Sequence, residues 1–343
     1  MIQYLYLGRV AYEEGLRLQN EIAASVAEGR LQNVLLLLEH PPVLTLGRNA
    51  NRANVLMSDE LLAARGIGVH EINRGGDVTY HGPGQLVGYP IFDLSTFKNP
   101  NGGRMGPVDF VRGIEEALIR LCLENGVHAG RVPGLTGVWC GAGVSDPGSG
   151  NGGHGPGTEG AAELPRGSAG RNCFVSGHDF SHAASAAESA GASAPEECSS
   201  GYASVARPSS AACETQLAGP ERKIAAIGIH VAKGITSHGF SFNVTTDLRH
   251  FQMIVPCGIP DHGVTSLAEE LRPPHTIPAL ESVAHQAARQ FGLVFDRHVL
   301  AAESLDALRA TASDRRFPAE DTPMRPPAEV EQLRGAPGHP VRA

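Results

Sequence analysis

Residues 74–90 read RGGDVTYHGPGQLVGYP. Five glycines and two prolines stand among an Arg, an Asp, a His and two tyrosines. Glycine at this density lets a backbone turn sharply or lets a ligand come close to the main chain. Apolar residues occur only at Val78, Leu86 and Val87, so a core helix is excluded. The stretch predicts a strand, a Gly-rich loop and a second strand that wall a site. A surface hairpin tip would have the same composition.

Outward from this stretch, the N-terminal side predicts a strand over 3–9 and a helix over 11–28, where Leu18, Ile22 and Val26 recur every fourth residue before Gly29. The run NVLLLLE at 33–39 is continuously apolar between its polar ends and reads as a buried central strand. Val43–Gly47 and Val69–Asn73 predict further strands, with a short helix over Ser58–Ala64. On the C-terminal side the helix over 107–125 places Val108, Val111, Ile114, Leu118, Leu121 and Cys122 on one face, with Pro107 in its first turn. Strands follow at Val138-Trp139, Ile224–Val231 and Phe240–Val244. Ser266 and Glu269 have the spacing of a capping box, and Pro278–Phe291 is an amphipathic helix that Gly292 should end. Leu293–Phe295 reads as a last strand. Strands and helices alternate without a regular βαβ rhythm. The expected class is therefore α+β, a mixed β-sheet with packed helices.

Between 141 and 220, Gly, Ala and Ser fill 44 of 80 positions, and Leu, Ile, Val and Phe only seven. Such a segment cannot bury enough apolar surface to offset its ordering entropy. Residues 140–220 are expected to be a disordered insertion, and 311–343 a disordered tail rich in Pro, Arg and Glu. One catalytic domain would then comprise 1–139 and 221–305.

The formal charge of −8 argues against non-specific binding to nucleic acid. No apolar run reaches the length of a membrane span. The start MIQYLYLGRVAYEEG lacks the pattern of a secretory leader, so a cytoplasmic location is expected. Six cysteines in a chain of this length then read as free thiols. RGGDVTYHGPG lacks the GxGxxG order, no Walker motif, GxSxG or HExxH is present, and no cysteine pair has the C-x-x-C spacing of a metal site.

Two residues outside the Gly-rich stretch could carry chemistry. Cys257 sits in the turn PCGIP, where Gly258 and two prolines hold the backbone. Lys223 heads the apolar strand KIAAIGI and is one of three lysines in the chain. A lysine there is partly desolvated, which eases proton transfer. A Cys/Lys pair could do acyl transfer, the amine taking the thiol proton and the thiolate attacking a carbonyl. Taken singly, a structural thiol and a strand-end lysine explain the same two residues.

Taken together, RGGDVTYHGPGQLVGYP at 74–90, GLTGVW at 134–139, RKIAAIGIH at 222–230, SHGFSFNV at 237–244 and IVPCGIPDHGVTSL at 254–267 resemble the octanoyltransferases of lipoate synthesis. LLLLEHPPVLTLGR at 35–48 fits the same family. The resemblance implies the fold of the biotin- and lipoate-protein ligase catalytic module. It implies transfer of an octanoyl group from octanoyl-acyl carrier protein to a lysine of lipoyl domains. The acceptors would be the 2-oxoacid dehydrogenases and the glycine cleavage H protein. By that resemblance Cys257 carries the acyl thioester and Lys223 lowers the thiol's pKa. Arg74, Gly75, Gly76, Asp77, Val78, Thr79, Tyr80 and His81 would line the acyl pocket, completed by Ala226, Ile227, Gly228, Gly239, Phe240 and Ser241. A thioester donor is already activated, so no cofactor, ATP or metal is expected. Arg48 and Arg74 would supply a basic patch for an acidic carrier. An ATP-dependent ligase on the same fold would need no cysteine nucleophile, and a non-catalytic acyl-binding protein would form no covalent adduct. The family's usual chain runs almost directly from the GLTGVW block to the lysine strand, whereas here about 80 residues intervene.

Overall fold

A strand with an unbroken apolar run, as at 34–38, must be buried on both faces, and this one organises the molecule. The computed structural model describes residues 1–142, 144, 219–258 and 262–314. The chain opens with β1 (Ile2–Arg9), α1 (Tyr12–Ala27) and β2 (Asn33–Glu39). In β2, Leu35 and Leu37 face one hydrophobic core while Val34, Leu36 and Leu38 face another. The period-2 alternation of a strand thus sends each neighbour into a different layer.

Next come β3 (Val43–Leu46), α2 (Asp59–Ala64), β4 (Gly68–Glu71), β5 (Val78–His81) and β6 (Gln85–Ile91). Helix α3 (Pro107–Glu124) and β7 (Val138–Cys140) complete the N-terminal part. The rest is β8 (Arg222–Ala232), β9 (Ile235–Asn243), β10 (Gly263–Val264), α4 (Leu267–Glu270), α5 (Leu280–Val294), β11 (Val299–Ala301) and α6 (Leu305–Asp314).

Among the described residues, eight strands form the larger sheet in the order β10-β8-β9-β6-β2-β1-β11, with β7 also paired to β8. Strand β1 runs parallel to both β2 and β11, while β2, β6, β9 and β8 pair antiparallel in succession. The mixed sheet with packed helices is the expected α+β class. Helices α3 and α5 cover one face, and α1 and α6 cover the other. A second sheet, β4-β3-β5, has its own small core of Leu44, Leu46, Val78, Tyr80, Phe251 and Met253.

Two backbone features fix the register near the centre. Lys233 and Gly234 both have positive φ, 51° and 84°, and make the two-residue turn that joins β8 to β9. Gly239 lies so close to β6 that a Cβ there would sit 2.1 Å from the Gly88 carbonyl oxygen.

Several boundaries differ from expectation. Val108 is 39% exposed, so the buried stripe of α3 begins at Phe110 and Val111. Helix α5 continues through Gly292 to Val294. A Cβ at 292 would meet Val299 at 2.4 Å, so this glycine admits β11 rather than ending the helix. The last strand is therefore Val299–Ala301, not 293–295. Helix α6 reaches Asp314, so the first four residues of the expected tail are helical. The rest of that tail, and nearly all of the 140–220 insertion, lie outside the described residues. The insertion's two ends meet: Ala142 N–H donates to Gly219 O at 3.1 Å, closing the antiparallel β7–β8 pair.

Candidate active site

Strand β5 alternates like β2. Val78 and Tyr80 pack into the small core. Thr79 and His81 face the other way, into a cavity of about 260 Å³ between the two sheets. The floor is the larger sheet. Ala226, Ser241 and Val87 form one cross-strand row, and the next row brings Gly228 opposite Gly239 beside Tyr89. Lys223 lies five residues back along β8 from Gly228, roughly 16 Å at strand rise. The cavity thus runs along the strands with a cation towards one end. Small residues on the floor leave room that larger side chains would fill.

Lys223 is 7% exposed, and its Nζ lies 4.5 Å from the centroid of the Trp139 ring. Arg74 is also buried. Its guanidinium donates to Thr45 O at 2.8 Å, Thr45 Oγ1 at 3.0 Å and Gly75 O at 3.0 Å. It is therefore a structural cation of the cavity wall, not part of a surface basic patch. Arg48 is exposed.

A polar chain connects the sheets beneath the cavity. Gln85 Nε2 donates to Asn243 Oδ1 at 2.9 Å and to Tyr80 O at 3.2 Å. So oriented, Gln85 Oε1 accepts from His81 Nδ1–H at 2.8 Å. Burial pushes His81 down to about 3, aided by nearby His40 and Arg74, and the ring is neutral. Burial likewise holds His40 at about 4. His40 Nδ1 donates to Val10 O at 2.7 Å, and its Nε2 accepts from the Tyr89 hydroxyl at 2.6 Å. His238 has φ 57°, a left-handed conformation that costs a non-glycine residue energy. Its N–H donates to Gln19 Oε1 and its Nε2 to Asn73 Oδ1, both at 2.7 Å. Burial puts this ring at about 3.

Asp77 fastens the mouth. Oδ1 accepts from the backbone N–H groups of Asn51 and Val78 at 3.0 and 2.7 Å, and Oδ2 from Asn54 Nδ2. Asn54 O accepts from Val255 N–H at 2.7 Å, and a Cβ on Gly258 would sit 2.6 Å from Asp77 Oδ2. The carboxylate thus ties the segment before α2 to the turn Pro256–Gly258 that holds Cys257. Gly258 lines the cavity together with Lys223, and Pro256 and Lys223 share a smaller void next to it.

A small-residue trough with a buried lysine at one end suits an acyl chain and its carbonyl. The model of the lipoyl protein ligase A/B catalytic domain matches residues 11–291. The chain belongs to this family. Octanoyltransferases are among the relatives of this lipoyl protein ligase A/B domain. That of Acidobacterium capsulatum is 45% identical over 305 residues, which is 89% of this chain and 94% of the relative. That of Koribacter versatilis is 38% identical over 333 residues, 97% of each chain, so most of the 140–220 segment falls within the match. Among solved structures, a bipartite lipoate protein ligase of Thermoplasma acidophilum is 13% identical with a TM-score of 0.52, covering 91% of each chain, and shares the fold.

In this family member the cavity brings together Arg74, Gly76, Asp77, Thr79, His81, Lys223, Ala226, Ile227, Gly228, Gly239, Phe240 and Ser241. Gly75 is outside the lining, its N–H donating to Ile229 O at 3.1 Å. Val78 and Tyr80 belong to the opposite face. Leu135 and Thr136 of the GLTGVW block also line the cavity, as do Tyr12, Val87, Tyr89 and His238, none of them singled out as lining residues from the sequence. Alternation in β6 could have identified Val87 and Tyr89. Tyr12, on a helix far away in sequence, left no such signal.

Proposed function

We propose that this chain is an acyltransferase that moves an octanoyl group from octanoyl-acyl carrier protein to a lysine of a lipoyl domain, through a thioester on Cys257. Its catalytic domain comprises 1–139 and 221–305. The acceptors are the lipoyl domains of 2-oxoacid dehydrogenases and the glycine cleavage H protein. The observation that carries this reading is that Lys223 and Gly258, the neighbour of Cys257, stand on the wall of one trough floored by small residues. The octanoyltransferase relatives support it further.

In the first half-reaction the Cys257 thiol proton passes to Lys223, and the thiolate attacks the thioester carbonyl of the donor. Collapse of the tetrahedral adduct breaks the carrier's C–S bond, and the departing thiolate takes the proton from Lys223. In the second half-reaction the acceptor amine attacks the enzyme thioester and gives its proton to Lys223, and collapse breaks the C–S bond, the Cys257 thiolate leaving and taking that proton back. Each half replaces one activated acyl bond by another acyl bond, so the chemistry is ordinary covalent catalysis. Backbone N–H groups of the Gly-rich walls are suited to stabilise the oxyanion.

The test is mass spectrometry of the protein mixed with octanoyl-carrier, without ATP. An octanoyl adduct is expected that is lost in Cys257→Ser and slowed in Lys223→Ala. An adduct surviving Cys257→Ser, or an absolute need for ATP, would overturn the assignment.

A further inference from the structure

Trp139 and Lys223 are register partners in the β7–β8 pair. The indole is 1% exposed, and its Nε1–H has no hydrogen-bond partner among the described residues. A buried N–H left unmade is costly, so other contacts must hold the ring there. The lysine Nζ stands 4.5 Å from the ring centroid, and the His262 ring meets the indole edge-on at 5.3 Å. Against the lysine stem lies Gly137, with φ 119°. A Cβ there would be 3.4 Å from Lys223 Cε and 2.6 Å from Ala225 O. Gly137 is itself pinned, because its N–H donates to the buried Glu115 carboxylate at 3.1 Å.

We infer that Trp139 is a positioning residue for acyl transfer, its ring face holding the Lys223 ammonium at the cavity wall. This rests on the Cys257/Lys223 reading and deepens it. A cation over an indole face in a desolvated site is stabilised by the ring quadrupole. The contact stabilises the protonated lysine, which is the state formed when the thiol proton passes to the amine. It therefore favours the thiolate–ammonium pair that begins the reaction. It also restricts a long side chain that would otherwise sample many rotamers.

The chain contains one tryptophan, so its emission reports on the surroundings of this one ring. In the full-length protein, Lys223→Met removes the charge while keeping an unbranched stem, and the emission of Trp139 should change in intensity or wavelength. An unchanged spectrum would overturn the pairing. Adduct formation from octanoyl-carrier, measured at equal fraction folded, should fall about ten-fold in Trp139→Leu and much less in Trp139→Phe, which keeps an aromatic face. Equal rates in the Leu and Phe variants would mean that the residue only fills space, against the inference. The spectrum is read without substrate, so it tests the pairing even if the wild-type chain forms no adduct. That last result would instead overturn the acyl-transfer reading.

Discussion

The carboxylate of Asp77 accepts the backbone N–H of Asn51 at 3.0 Å. With the Val78 N–H and Asn54 Nδ2 on the same group, one side chain secures three donors from two segments. Asp77→Ala would leave those donors without their acceptor at a cost of about 1–3 kcal/mol. The larger effect should be on chemistry, because the Pro256–Gly258 turn leans on this carboxylate. Octanoyl adduct formation is expected to fall more than thermal stability does, by about ten-fold or more against a few degrees in Tm. Differential scanning fluorimetry alongside adduct mass spectrometry reads both.

Three buried histidines should make the fold sensitive to mild acid. His40, His81 and His238 are held at about 4, 3 and 3 against an ordinary value of 6.5. Below pH 6.5 the unfolded chain takes up protons that the folded chain refuses. Stability is therefore fully present above pH 6.5 and is lost as pH falls towards 4, by about 1 kcal/mol per pH unit for each histidine. Urea unfolding from pH 7.5 to 4.5 checks the slope. His40→Gln should make it shallower, and an unchanged slope would contradict burial of His40 as a neutral ring.

Glu115 is fully buried and accepts from Arg112, Arg131 and the Gly137 N–H. Glu115→Ala should destabilise the chain by about 2 kcal/mol and loosen the 135–137 segment of the cavity wall. Glu115→Gln keeps an acceptor for Gly137 and should restore most of the adduct rate but less of the stability. Parallel loss in both variants would show that charge, not the Gly137 bond, is what matters.

Because Ala142 and Gly219 are bonded at 3.1 Å, the segment between them joins adjacent strands. Replacing 143–218 with a short Asn-Gly turn should preserve the fold and octanoyl adduct formation, since such a turn suits an antiparallel pair. Unchanged far-UV circular dichroism with lost adduct would instead assign the segment a part in donor docking.

Strand and helix positions were legible wherever a local period decided them. The uninterrupted apolar run of β2 showed burial on both faces, and the glycines of 74–90 marked the wall of a site. What escaped depends on distant partners. Gly292 looks like a helix stop until β11 is seen packed against it. Helix α6 has a weak apolar pattern and gains its order from α1, through Leu308, Ala312 and the Arg309–Glu21 ion pair. The site was legible as a set of residue types, but its walls were not. Val78 and Tyr80 differ from Thr79 and His81 only in which sheet face they occupy, and Arg74 reads as a surface cation until its hydrogen bonds to Thr45 and Gly75 are seen.

The parallel pairing of β1 with β11 joins Ile2 to Val299, residues far apart in the sequence. During synthesis β1 can meet β2 at once, but its other edge stays bare until residues 299–301 have left the ribosome. Contacts so distant in sequence form slowly, and an open edge invites mispairing in the meantime. The order of translation therefore leaves one side of the sheet as the last to be sealed. Nascent chains truncated before residue 299 should be the forms most prone to aggregate.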